Sequence, residues 1–464
     1  MTDNVWSDNE FSTIDLGDER RTNRFLSMAS SLSQKPNHTI AQACGTRSST
    51  KGAYTLFSND NFQVDDILQA HYDSTVERAK EKSTVLVIQD TSQLKYNGHI
   101  KTEGLGSLNR EFTSTDSGLF LHPCLAITDE GMPLGLVGYS CWARQRDNRG
   151  MRDECTSQRL NKSIDDKESI KWINGLCESL ETLADLDAEI INIADRESDI
   201  YPFMAKAISL NTSFIVRCRH DRTIEIDGSK TKIRKAITES PVLGTKKINV
   251  REKSKVREAK LEIRCLQAVI PKPVSDESFK HLVDSEPIPV SVVEAREVDP
   301  STKSPVRWIL ITNLKVEGLN ECRKALERYG LRWTIETFFK VLKSGCKIED
   351  CRLGTAEKLE KYIALMSVVT YRLMHLTLLS RESPDQPCTA ELQEIEWQTL
   401  LVLDRKSKKA SYKFPSNLEA ITMIAKLGGY QARRSDPPPG PIVIWRGWQK
   451  LMNSVEVVKL ISET

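Results

Sequence analysis

The feature that most constrains this chain is a pair of short aliphatic runs that each end in an aspartate. TVLVIQD closes on Asp90, and AEIINIAD closes on Asp195. Runs of this length, rich in β-branched residues, read as buried strands. LFLHPCLAIT and LGLVGYSCWA follow the first at hairpin-like distances, and Ser169 to Leu186 reads as a helix. Strand, strand, strand, helix, strand, helix predicts a mixed sheet flanked by helices. An acid at the C-terminal end of such a strand can point into a crevice where sheet backbones converge. Ordinary readings stand beside this one: Asp90 can cap a turn, Asp195 can pair with Arg196, and Glu197 and Asp199 are rival acids.

A third acid stands in YGLRWTIETFFKVLK, residues 329–343. The stretch has no proline and no glycine after Gly330, and its periodicity predicts one amphipathic helix. Tyr329, Arg332, Glu336 and Lys343 sit at offsets of zero, three, seven and fourteen. At 3.6 residues per turn these fall within about 60° of one another, on a single face. Leu331, Ile335, Phe338 and Leu342 cluster opposite and form the expected packing face. A lone acid on a helix is ordinarily solvated or half of an ion pair, so a catalytic role needs carboxylates from elsewhere. Two strand-end aspartates and a helix glutamate are the parts of a two-metal phosphoryl-transfer site. Mg²⁺ takes oxygen ligands, and two ions about 3.5–4 Å apart stabilise both the attacking and the leaving oxygen. Seven dispersed histidines lack zinc-like spacing, and the GLG at 104–106 reads as a turn.

The chain opens with a helical module. LGDERRTNRFLSMASSLSQ places Asp18 to cap a helix bearing Arg20, Arg21 and Arg24, and TRSSTKGAYTLFSND adds Arg47, Lys51 and Tyr54. These residues suit phosphate contact; a helical cap with a charged exterior fits them equally. A further helix spans Val64 to Lys80. Residues 214–313 read as strands, and Ser229 to Arg264 holds twelve Lys/Arg against four Asp/Glu. That run is either a set of solvated hairpins or a basic saddle for nucleic acid. The overall net charge of +2 neither demands nor excludes an anionic partner. Eleven unpatterned cysteines fit a reducing compartment with mostly buried thiols. The polar, acidic N-terminus is no secretory signal, and the apolar run Tyr362 to Ser380 reads as a buried helix, not a membrane span. The expected location is cytoplasmic, nucleoid-associated in a bacterium.

With these residues in place, the chain resembles the bacterial insertion-sequence transposases of the DDE type that carry a Y-x2-R-x3-E-x6-K signature, the transposon-five-like cut-and-paste group. Tyr329, Arg332, Glu336 and Lys343 match that signature without a gap. Asp90 in VIQDTSQL and Asp195 in IADRESDIY match the first two acids, and LGDERRTNR, KGAYTLF, FIVRCRH, IAKLGGYQARR and IWRGW extend the likeness along nearly the whole chain. The resemblance implies an α/β fold: a ribonuclease H-like catalytic core over 81–381, interrupted at about 214–313 by a β-rich insertion. It implies a helical DNA-binding domain over 1–80 and a helical dimerisation domain over 382–464. Asp90, Asp195 and Glu336 would hold two Mg²⁺ ions per site, with Mn²⁺ able to substitute. Tyr329, Arg332, Lys343 and Arg217 would contact DNA, and Trp308 would stack on a base taken out of the helix, unless it is a buried core tryptophan. The implied partners are transposon-end and target double-stranded DNA and a second copy of the chain, with no membrane. Two other readings are an inactive DNA-binding inhibitor derived from a transposase and a ribonuclease H-like nuclease without strand transfer.

Overall fold

The computed structural model describes residues 5–99, 101–109, 116–144, 167–252, 255–273, 286–300, 305–404 and 414–462. The chain begins with helices α1 (Val5–Glu10), α2 (Glu19–Gln34), α3 (Ile40–Cys44), α4 (Arg47–Phe57) and α5 (Val64–Ala79). Asp18 caps α2 as expected, its carboxylate accepting from the Arg21 N–H at 2.9 Å. Thr46 caps α4 in the same way, at 3.1 Å from the Ser49 N–H. Phe11, Phe25, Phe57 and Phe62 are buried at the centre of this bundle, Phe11 edge-on to Phe25 at 4.9 Å.

Thirteen strands among the described residues form one sheet. They are β1 (Thr84–Gln89), β2 (Ser92–Lys95), β3 (Gly106–Ser107), β4 (Ser117–Thr128), β5 (Pro133–Trp142), β6 (Glu189–Ala194), β7 (Ser213–Arg217), β8 (Thr223–Ile226), β9 (Ser229–Lys232), β10 (Gly244–Glu252), β11 (Lys255–Ile270), β12 (Ile288–Glu297) and β13 (Arg307–Thr312). β4 runs antiparallel to both β1 and β5, and β6 lies parallel to β1 and to β7. This is the mixed sheet that the strand and helix pattern predicts. Helices α6 (Ile170–Thr182), α7 (Tyr201–Ser209) and α8 (Ile233–Glu239) pack on it, and Val85 to Ile88 of β1 are fully buried.

One boundary moves. FIVR, expected to open the β-rich insertion at 214, lies in β7, which pairs with β6 through Ile191↔Ser213 and Ile193↔Ile215. It is a strand of the central sheet, and the added strands begin after it. They return through β13, whose Leu310 faces Arg217, so the addition continues the same sheet without a break in hydrogen bonding. The basic run is also less exposed as charge than its composition implied. Lys246 pairs with Glu327, Arg257 with Glu297, Arg264 with Glu262 and Lys247 with Glu258.

The later helices are α9 (Leu319–Gly330), α10 (Trp333–Lys340), α11 (Ala356–Glu382), α12 (Glu394–Leu403), α13 (Asn417–Leu427) and α14 (Pro441–Ser462). Helix α11 is long and apolar enough to cross a membrane, yet 83% of its most apolar window is buried inside the protein. It is the axle on which both ends of the chain pack. Tyr362 meets Phe57 of α4 at 5.9 Å, and the buried Arg372 guanidinium lies over Trp6 at 4.6 Å and Trp448 at 5.4 Å. Residues 145–166, polar in sequence, and 405–413, which hold a run of lysines and arginines, lie outside the described residues.

Candidate active site

Asp90 and Asp195 follow the C-terminal ends of β1 and β6, which are parallel neighbours. Parallel pairing therefore puts both carboxyls at one edge of the sheet, as the strand-end reading requires. Glu336 comes from α10, and Arg332 at the start of that helix ties the acids together. Its guanidinium donates to Asp90 Oδ2 at 2.9 Å and to Glu336 Oε1 at 3.4 Å. The Tyr329 hydroxyl donates to Asp195 Oδ1 at 3.3 Å. Burial pushes the Asp90 carboxyl up to about 6; the Thr91 N–H and Arg332 work against this, while Glu336 and Asp195 add to it. Glu336 and Asp195 both act on the Asp90 carboxyl, which places the three acids in one electrostatic neighbourhood.

The signature segment is not one helix. Helix α9 ends at Gly330, the Arg332 N–H turns back to the Tyr329 carbonyl at 3.1 Å, and α10 starts afresh at Trp333. Val341–Gly345 then forms a π-helical turn closed by the Cys346 N–H on the Val341 carbonyl at 2.8 Å. The first break tightens the winding and the second loosens it, so a constant 3.6-residue period does not run from Tyr329 to Lys343. The break has a packing cause. Arg328 forks onto Asp129 with two bonds of 2.7 Å, and Leu331 packs against Gly131, both in the β4–β5 turn. Gly131 takes φ +93°, and a Cβ there would stand 2.9 Å from the Leu331 side chain. Ile335, Phe338 and Leu342 are fully buried as expected, and Leu331 is only partly so.

Lys343 donates to the Gln93 carbonyl of β2 at 2.5 Å. Burial pushes its ammonium down, with Glu349 opposing. Trp308 on β13 packs edge-on against Tyr329 at 5.6 Å and is half-buried. It lines a cavity of about 190 Å³ together with Ile248, Leu261, Ile263 and Leu326. Arg217 ends β7 beside the Tyr329 hydroxyl and donates to the Arg307 carbonyl at 3.4 Å.

The rival acids separate clearly. Asp199 is buried and accepts from the Arg219 N–H at 2.6 Å and the His220 N–H at 3.0 Å, and it also pairs with Arg222. It holds the turn after β7. Glu197 is largely exposed, 3.4 Å from Lys171. Asp199→Ala is therefore expected to cost about 3–5 kcal/mol, because it strands a partly buried guanidinium and two amides; denaturant unfolding checks this.

In the N-terminal bundle, Arg20, Arg24, Arg47 and Lys51 are exposed, whereas Arg21 is half-buried and donates to the Leu16 carbonyl at 2.6 Å. Arg24 lies across Gly52 of α4, where a Cβ would come within 3.1 Å of its guanidine, so the cations of α2 and α4 share a surface. Next to them an open groove of about 990 Å³ runs along α4, lined by Arg47, Lys51, Tyr54 and polar neighbours.

The donor chemistry of the acid cluster suits a hard cation, since it consists of carboxylate oxygens already balanced by one guanidinium. Among the described residues no three acid, histidine or cysteine side chains form a closed metal cage; the acids stand around Arg332 instead.

Three matches to known protein families bear on this geometry. Residues 3–62 match the family described as transposase DNA-binding, 160–371 the transposase DDE domain, and 368–463 the transposase Tn5 dimerisation domain. Asp195, Tyr329, Arg332 and Glu336 fall inside the DDE match, and Asp90 precedes it. The central sheet is accordingly the ribonuclease H-like core of a transposase DDE domain, in a chain that also carries a DNA-binding and a dimerisation domain. With a DNA-binding module, a DDE domain and a dimerisation module in that order along one chain, the protein belongs to the Tn5-like DDE transposases.

Proposed function

We propose that this protein carries out cut-and-paste transposition: it nicks DNA at the inverted-repeat ends of its element, forms and reopens a hairpin, and joins the 3′ ends to target DNA. The observation that supports this reading most is the single cluster made by Arg332 with Asp90 and Glu336, beside Tyr329 on Asp195. Asp90, Asp195 and Glu336 would hold two Mg²⁺ ions, or Mn²⁺ in their place, which when bound activate the attacking oxygen and neutralise the leaving one. Arg332 is a planar fork now shared between two carboxylates, and the same fork fits a phosphate when DNA enters. Tyr329 and Arg217 flank it, and Lys343 adds a point charge beyond β2. Trp308 offers an aromatic face to a base displaced at the hairpin.

In this reading residues 1–80 recognise the transposon end, 81–381 perform the chemistry, and 382–464 pair two copies so that each end meets one active site. The work is done on chromosomal DNA, hence in the cytoplasm at the nucleoid. Incubating the full chain with end-containing DNA in Mg²⁺, and resolving products on denaturing gels, tests the sequence of steps. Nick, hairpin and joined product are expected in that order. Hydrolysis without joining would favour a simple nuclease, and binding without nicking would favour an inhibitor.

End recognition carries its own expectation. Alanine at Arg20, Arg24, Arg47 or Lys51 should each lower the slope of log affinity against log salt by roughly one. Specific affinity should fall in step. An unchanged slope in a quadruple alanine variant would move end recognition away from this surface.

A further inference from the structure

We infer that His122 is a positioning residue for Asp90, gripping the residues on either side of it from the opposite face of the sheet; the inference rests on the reading of Asp90 as a site acid. Asp90 sits in a gap in the hydrogen-bond ladder. β1 ends with Gln89 opposite Cys124, and β2 begins with Ser92 opposite Leu121. The same register places Asp90 and Thr91 opposite Pro123 and His122, and neither belongs to a strand. Pro123 has no N–H to contribute there. The backbone that carries the acid therefore needs another support.

His122 supplies it. Side chains alternate along an extended chain, so Gln89 and Thr91 turn away from the face that Asp90 presents to Arg332. His122 Nδ1 lies 2.8 Å from Thr91 Oγ1, and Nε2 lies 3.3 Å from Gln89 Oε1. The ring is 1% exposed and packs edge-on against Trp172 at 4.9 Å. Burial, with Lys171 nearby, holds the imidazole down to about 3, so it is neutral. The Gln89 carbonyl can only accept, which assigns the ring proton to Nε2 and leaves Nδ1 to accept from the Thr91 hydroxyl. Thr91 in turn donates its N–H to Asp90 Oδ1 at 2.7 Å. Gly175 of α6 makes room for the arrangement: a Cβ there would stand 2.9 Å from Gln89 Oε1. The chain of contacts runs from His122 through Thr91 to one Asp90 oxygen, while Arg332 holds the other.

The test is Mn²⁺ affinity of the full-length protein without DNA, measured by calorimetry for wild type, Thr91→Val, His122→Leu, His122→Asn, the Thr91→Val/His122→Leu double variant and Asp90→Asn. Groups that orient a metal ligand are worth roughly 10–100-fold in affinity. Thr91→Val and His122→Leu should each weaken Mn²⁺ binding about ten-fold. The double variant should be no weaker than the worse single one, and His122→Asn, whose amide can still accept from Thr91, should recover most of the loss. End-DNA affinity should not change. Wild-type Mn²⁺ affinity in Thr91→Val, or additive losses in the double variant, would overturn the inference. Thr91→Val decides even if His122→Leu does not fold. Asp90→Asn separates the two levels: if it binds Mn²⁺ normally, the site reading itself fails, whereas its loss alongside normal Thr91→Val removes only the positioning role.

Discussion

Replacing Asp90, Asp195 or Glu336 by its amide is expected to slow nicking of end DNA by at least ~10³-fold, equivalent to about 4 kcal/mol of barrier. The amide keeps the shape and removes the charge, so what is lost is the capacity to hold a divalent cation against the scissile phosphate. Binding of the end should hold or tighten, because a carboxylate near a phosphate is repulsive and the cations proposed to recognise the end lie on α2 and α4. The fold should survive as well. Asp90→Asn still leaves Arg332 its Glu336 partner at 3.4 Å, and Glu336 is itself 43% exposed. Single-turnover cleavage in Mg²⁺, with gel shifts run in parallel, separates the two effects. Near wild-type cleavage by any one of the three would remove that residue from the metal site. The same change at Asp199 should behave differently, lowering stability first, because its carboxylate is spent on Arg222 and two backbone amides.

The second large effect concerns pairing of two ends. Many apolar residues of the tail are used inside the chain: Leu400, Ile424, Trp448 and Leu451 are buried against α11 and one another. A chain ending at Ser383 should lose the paired complex, but it would also strip cover from α11, and the two losses would be confounded. Surface changes avoid this. Val402 on α12 and Val457 on α14 are 80% and 55% exposed, on helices that pack together within the dimerisation match. Val402→Asp with Val457→Asp is expected to weaken pairing by roughly 2 kcal/mol or more, at least about thirty-fold. Binding of a single end should be unaffected, and cleavage should fall with pairing. Mixing a short and a long end fragment reports pairing directly, as a complex of intermediate mobility on a native gel. Retention of that complex by the double variant at wild-type protein concentration would take the contact away from these helices.

What the sequence determined by itself is local and periodic. Aliphatic runs made β1 and β6 legible with their terminal aspartates, and Asp18 announced the start of α2. The four signature residues could be read as one functional set from spacing and resemblance alone. Their packing could not. A single helix from Tyr329 to Lys343 assumes a constant period, whereas Arg328 on Asp129 and Leu331 against Gly131 make the chain turn at Leu331 and Arg332. Strand propensity identified FIVR as extended but could not choose its partner, which is β6. His122 left one faint mark, a polar residue before a proline in an otherwise apolar strand; its role appears only once Thr91 and Gln89 are seen against it. Asp195 and Asp199 are chemically identical, and only the tertiary structure sends one to Tyr329 and the other to Arg222. The same holds for the bond between Asp90 and Arg332, partners 242 residues apart. Periodicity and propensity act over a few residues, while the meeting of distant side chains depends on how a whole sheet and its helices pack, and that packing set the geometry of the acid cluster.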